Sequence, residues 1–214
     1  MTKFITRLVV GAVMTASLAG CSSAPTGVTD EPKASASAVQ AIDIGPIDLT
    51  AEEAGTRYLN VICPNNFAIQ ALNEAFSASE EDFLAGGAPD PATVKAAATT
   101  RIASDRLVVE FFDDEYYLWP EQVRDQIPLV RDVNLAELST LSGIVNAATY
   151  EEAYYATWPD YTASSTAAQE IRYQLALDAD TTASCTGYES GHDVLTAEKT
   201  DREALLAKQE SAKE

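Results

Sequence analysis

The sequence predicts an all-α fold, a bundle of four to five main helices, and three observations carry that expectation. Apolar residues recur three and four positions apart over long stretches, the period of one helix face. Residues suited to capping helix starts stand just ahead of those stretches, at Thr50, Asp90, Asn134 and Thr149. No pair of alternating runs is joined by turn residues, as paired strands would require.

The elements follow in order. Thr50 and Glu53 have the spacing of a capping box. Tyr58, Val61, Ile62, Ala68, Ile69, Leu72 and Phe76 then recur at helical spacing. Pro64 falls inside this run and is expected to kink or split the helix, because it lacks a donor and crowds the preceding turn. Ser79 with Glu81 and Asp82 can open one further turn, which Gly86-Gly87 ends. Asp90-Pro91 restarts the chain as a helix, an acid at the cap and proline at the first position. Val94, Ala98, Ile102, Val109, Phe112 and Tyr116 form its apolar stripe, and Trp119-Pro120 closes it. A short helix is expected over 121–126. Asn134 and Glu137 have the spacing of a second capping box, leading into Leu135, Leu138, Leu141, Ile144 and Val145. Thr149 to Glu152 restarts or continues that helix toward Trp158-Pro159. A last core helix spans Ser164 to Leu177, with Ile171, Leu175 and Tyr173 turned inward. Residues 49–193 thus make the helical domain. Residues 194–214 make a charged tail, helical or partly disordered, with Leu195, Leu205 and Leu206 to bury.

The start of the chain is of another kind. Lys3 and Arg7 precede an apolar run from Leu8 to Leu18, which ends in Leu18-Ala19-Gly20-Cys21. The run is shorter than the roughly 20 residues a bilayer span needs. It fits the core of an export signal with a small-residue cleavage site. The pattern resembles the signal peptide and lipobox of bacterial lipoproteins. That resemblance implies export, cleavage after Gly20, a diacylglycerol (palmitate-type) anchor on Cys21, and a place on the extracytoplasmic face of the cell membrane. Two or three acyl chains hold a protein firmly where one does not. Residues 1–20 are then the signal peptide. Residues 21–48, with Ser22, Pro25, Gly27, Pro32 and Ser35, are a lipid-anchored flexible linker reaching roughly 25–30 Å. A looser resemblance lies in Tyr58-Leu59-Asn60-Val61-Ile62-Cys63-Pro64-Asn65-Asn66, which is similar to segments of uncharacterised lipoproteins of high-GC Gram-positive bacteria. It implies no activity. Read from the residues, Pro64 frees a carbonyl near Asn60, which Asn65 and Asn66 could satisfy.

Composition narrows the function. Without residues 1–20 the chain keeps 12 basic and 33 acidic residues, a net charge of −21. That excludes a nucleic-acid partner, whose footprint is basic, and argues against charge-driven binding to anionic lipid. The membrane partner would be reached through Cys21 alone. Cysteine counting leaves Cys63 and Cys185 once Cys21 carries lipid. Outside the cytoplasm two thiols in a small domain form a disulfide as a rule; the rival is a pair of free buried thiols.

Few motifs carry chemistry. Tyr116-Tyr117-Leu118-Trp119-Pro120 and Tyr154-Tyr155-Ala156-Thr157-Trp158-Pro159 echo each other, each with acids upstream. Tyr116, Trp119, Tyr154 and Trp158 are therefore candidates for a ligand pocket, for a cationic or sugar-like molecule. The plainer reading is that Trp-Pro ends a helix and the aromatics fill the core. Residues 178–189 place oxygens at calcium-loop positions, but Ala183 stands where such a loop needs glycine. The single histidine, His192, reads as an exposed polar residue after the last core element, and no metal set or cofactor is expected. The sequence points to a membrane-anchored extracytoplasmic lipoprotein whose domain binds an envelope partner or a small ligand without catalysis. The alternative is an envelope hydrolase using Asp113, Asp114, Glu115, Glu151 and Glu152 beside Trp119 and Trp158. It requires both aromatic segments in one concave pocket, with a carboxylate of raised pKa.

Overall fold

A computed structural model describes residues 45–212. Cys21, the signal peptide and most of the linker lie outside the described residues. The fold is all-α, with five long helices and three short ones. They are α1 (Ala51–Leu84), α2 (Ala92–Phe112), α3 (Glu121–Arg124), α4 (Ile127–Asn146), α5 (Tyr150–Tyr154), α6 (Thr162–Gln174), α7 (Thr181–Ser184) and α8 (Gly191–Ser211). One two-residue parallel pair joins β1 (Ile47–Asp48) to β2 (Tyr117–Leu118), which the sequence reading did not anticipate. Two residues are too few to show alternation. The pair brings the end of the expected linker onto the domain, where the Ile47 N–H donates to the Tyr116 carbonyl at 2.7 Å.

Helix α1 begins as its capping box dictates, with Thr50 accepting from the Glu53 N–H and Glu53 reaching back to the Thr50 N–H. It then runs unbroken for 34 residues through Pro64, so proline does not split it and Ser79 opens no separate turn. It stops at Gly86, whose φ of +90° suits glycine. Asp90 Oδ1 accepts from the Ala92 N–H at 2.9 Å just ahead of α2, but the cap position is Pro91, one residue later than expected, and it has no side-chain cap bond. That helix ends at Phe112, seven residues before Trp119. Three acids, Asp113, Asp114 and Glu115, follow directly, where the helix dipole disfavours negative charge.

Helix α4 starts at Ile127 with Pro128 in its first turn, not at Asn134. Asn134 and Glu137 are buried mid-helix and cap nothing, while Leu135 is exposed. Thr149 does cap α5, accepting from the Glu152 N–H. Helix α6 ends at Gln174 and leaves Tyr173 on the surface, opposite to expectation. Ile171 and Leu175 are buried as expected. The expected tail is part of a helix that starts at Gly191 and packs along α1, with Leu195 buried.

Helix α2 packs against both α1 and α4, while α8 packs along α1 and α6 along α4. Two hydrophobic clusters fill the bundle. One gathers Tyr58, Val61, Val108, Phe111, Trp119, Val123 and Ile171. The other gathers Leu72, Val94, Ala98, Leu141, Ile144 and Tyr150. Each of α1, α2 and α4 contributes to both, and each carries polar residues between its two contributions.

Candidate functional site

Those polar residues form one layer. On α1 the buried stripe runs Tyr58, Val61, Asn65, Ala68, Leu72; on α2 it runs Val94, Ala98, Arg101, Asp105, Val108; on α4 it runs Ile127, Val130, Asn134, Glu137, Leu141, Ile144. The spacing of three and four is unbroken in each, so the polar side chains point where apolar ones would. Asn65 donates to Asp105 Oδ1 at 2.7 Å and to Asn134 Oδ1 at 3.1 Å. Asn134 donates to the Val130 carbonyl at 2.7 Å. Arg101 Nε donates to Asp105 Oδ1 at 2.6 Å, and Arg101 Nη2 to Glu137 Oε2. Tyr161 stands near Glu137 at the edge of the layer.

The charge count of this layer is uneven: two carboxyl groups face one guanidinium. Asp105 is wholly buried, and its Oδ2 has no N–H or hydroxyl donor. A second carboxyl can serve that oxygen only by carrying a proton. Glu137 and Asp105 share the Arg101 guanidinium as their ion-pair partner. Burial pushes both carboxyls above the ordinary range, Arg101 pulls both back, and the charge on Asp105 raises Glu137 further. Tyr161 is pushed up by burial and by the neighbouring Glu137. Burial thus favours the protonated form of a carboxyl in this layer, where two carboxyls are set against the single Arg101 guanidinium.

The layer opens on one side. A cavity of about 390 Å³ is lined by Ile69, Leu72 and Asn73 of α1, Arg101, Glu137, Trp158 and Tyr161. Trp158 and Tyr161 come from the loop between α5 and α6, which Thr140 Oγ1 ties to α4 by donating to the Thr157 carbonyl at 2.7 Å.

The four aromatic candidates do not converge. Trp119 packs edge-on against Phe112 in the first cluster. Tyr116 lies 4.3 Å beneath the Arg202 guanidinium, whose Nη2 holds Asp114 at 2.9 Å. Arg57 joins this group, bound to Asp114 and Glu198 and stacked 3.7 Å over Tyr117. Tyr154 belongs to the second cluster, tilted on Phe83 and donating to Glu80 at 2.6 Å. Trp158 alone of the four lines the cavity described above. The acids named with them also disperse: Asp113 pairs with Arg131, Asp114 with Arg57 and Arg202, and Glu152 accepts from the Ala148 N–H. The two aromatic segments share no pocket, so the geometry required of the hydrolase is not met at those residues.

Sequence reasoning missed Arg101, Asp105, Asn134 and Glu137. Arg101 and Asp105 carry no motif that singles them out, and Asn134 with Glu137 read as a cap. The available signal was phase, since all four lie on the apolar stripe of their helices.

His192 is also misplaced by the sequence reading. It is buried, and its Nε2 bonds the Val61 carbonyl at 2.8 Å. Burial holds its pKa below the ordinary histidine value. Beside it, Cys63 and Cys185 form the disulfide, S–S 2.02 Å with Cα atoms 5.2 Å apart. Asn65 and Asn66 do not repair the backbone at Pro64. Asn65 turns into the polar layer and Asn66 faces the Cys185 sulfur. Residues 178–189 hold α7 instead of a calcium loop, with Asp180 capping it. Among the described residues no group of three or more His, Cys, Asp or Glu could hold a metal. No protein-family model, curated protein or solved structure matches the chain.

Proposed function

We propose that the chain is an extracytoplasmic lipoprotein, anchored to the cell membrane through Cys21, whose helical domain is a binding module. One observation carries the compartment: the Cys63–Cys185 disulfide joins α1 to the segment after α7. Such bonds persist where the surroundings are oxidising and are rare in the cytosol. This agrees with an export leader ending in Leu18-Ala19-Gly20-Cys21. The cavity beside Trp158 supports the binding role, since it joins aromatic and aliphatic walls to a few fixed polar groups. An envelope protein docking elsewhere on the domain is compatible with the same anchor.

The test is metabolic labelling with an alkyne fatty acid in an exporting bacterial host. Label on the wild-type chain, recovery with membranes, absence of free thiols, and loss of label in Cys21→Ala are the expected results. An unlabelled chain with three titratable thiols, Cys21 among them, would overturn the reading.

A further inference from the structure

We infer that the cavity between α1, α4 and the Trp158–Tyr161 loop is a site for a neutral, hydroxyl-rich ligand, of the class of a mono- or disaccharide. The inference rests on reading the domain as a binding module and assigns that module its ligand chemistry. Size is the first argument. About 390 Å³ lies at the small end of ligand pockets, which run from roughly 300 to 1,000 Å³.

Charge is the second. The polar wall holds Arg101, with Asp105 behind it and Glu137 beside it. Two buried carboxyls, both held above their ordinary range, are set against one guanidinium, so the wall carries little net charge. A cationic ligand would meet the Arg101 guanidinium with no free carboxylate to balance it. An anion would meet the Arg101–Asp105 and Arg101–Glu137 pairs already closed, on a chain of net charge −19. A hydroxyl group donates and accepts, and needs neither charge.

Donor and acceptor supply is the third. Arg101 uses Nε and Nη2 in its two ion pairs, and Nη1 takes part in neither. Asn73, also at the cavity, carries an amide that both donates and accepts. Glu137 adds carboxyl oxygen. All are held by helices, and Arg101 and Glu137 are almost fully buried, so little ordering remains to be done on binding. Trp158, with Ile69 and Leu72, supplies apolar wall for the C–H face that a pyranose presents between its hydroxyls.

The chain has two tryptophans, and Trp119 is buried away from this cavity. Trp119→Phe therefore leaves Trp158 as a local reporter. The experiment titrates this otherwise full mature chain with glucose, mannose, N-acetylglucosamine and maltose, and with spermidine and citrate as charged probes. The expected result is a saturable change in Trp158 emission with at least one sugar. Glu137→Gln should weaken it several-fold. For Trp158→Ala, in the Trp119-containing chain, calorimetry should show at least a tenfold loss, with helical circular dichroism and the disulfide retained. Saturation by spermidine or citrate alone would overturn the ligand class and leave a binding module standing. Silence towards every sugar, or sugar binding that survives Trp158→Ala, would overturn the site. Neither outcome touches the anchor, which the labelling of Cys21 tests separately.

Discussion

A buried carboxyl pair and a buried histidine respond to pH in opposite directions. Burial raises Glu137 and Asp105 above their ordinary values of 4.5 and 3.8. Between those values and the raised ones the folded chain keeps a proton that the unfolded chain releases. The pair's contribution is complete in mild acid and is lost as pH rises through the folded values. Glu137→Gln keeps the shape but cannot lose a proton. Its urea midpoint, compared with wild type, should improve as pH rises from 4.5 through the raised folded values; a constant difference would refute a carboxyl held above its ordinary range. His192 runs the other way, because burial lowers it from 6.5. Its contribution is present above 6.5 and is lost as pH falls through the folded value. His192→Gln can still donate to the Val61 carbonyl and has nothing to titrate. Wild type should lose stability relative to this variant between pH 7 and pH 5, and equal slopes would count against a buried neutral imidazole.

At the scale of elements, the α1–α8 junction is made by what Pro64 removes. Proline has no N–H, so the Asn60 carbonyl loses its donor in the next turn. The start of α8 lies against that exposed backbone. A Cβ on Gly191 would stand 2.3 Å from the Asn60 oxygen and 2.6 Å from its Cα. Both are backbone atoms, so a helix must move. Gly191→Ala should cost about 1–3 kcal/mol in chemical denaturation, the range for overpacking. The end of α6 has the reverse problem. Leu177 N–H reaches the Arg172 carbonyl and Ala176 N–H the Tyr173 carbonyl, a closure that needs a left-handed residue. Ala176 supplies it at φ 52°, where a Cβ is unfavourable. Ala176→Gly should raise stability by up to about 1 kcal/mol, read as a higher thermal midpoint. An unchanged or lower midpoint would mean that the turn carries no strain.

For the whole molecule, the disulfide ties α1 to the approach of α8 across 122 positions of sequence. Constraint of the unfolded chain over such a loop is worth roughly 4–5 kcal/mol in the entropy model, an upper figure. Cys63→Ser and Cys185→Ser should lose similar stability, and the double variant little more than either. The differences should disappear when wild type is fully reduced. Losses that add in the double variant would show that the sulfurs act by packing and not as a bond. The polar layer acts at the same scale. It sits at one height in three helices, with an apolar cluster on each side, and sliding any helix by a turn would pair Asn65, Asp105 or Glu137 with hydrocarbon. Such a layer fixes register in the manner of a polar residue in a coiled-coil seam.

The chain's own letters determined what depends on neighbours within a few residues. Thr50 with Glu53, and Thr149, open helices because a cap is a local bond. Gly86 ends one because a positive φ is a local need. The pairing of Cys63 with Cys185 was legible because only two cysteines remain once Cys21 is set aside. Tertiary structure decided the rest. The same Asn-x-x-Glu spacing that caps a helix start becomes a buried pair at Asn134 and Glu137, since α4 had already begun at Ile127 and both lie in phase with its apolar stripe. Tyr173 lies outside and His192 inside because the partner surface, and not hydrophobicity, set which face of α6 and α8 met the bundle. The echoing aromatic segments part company because β2 carries one to the α1–α8 junction while the α5–α6 loop carries the other to the polar layer. A site made by three helices has no sequence spacing of its own, because the distances that define it are set only when those helices pack.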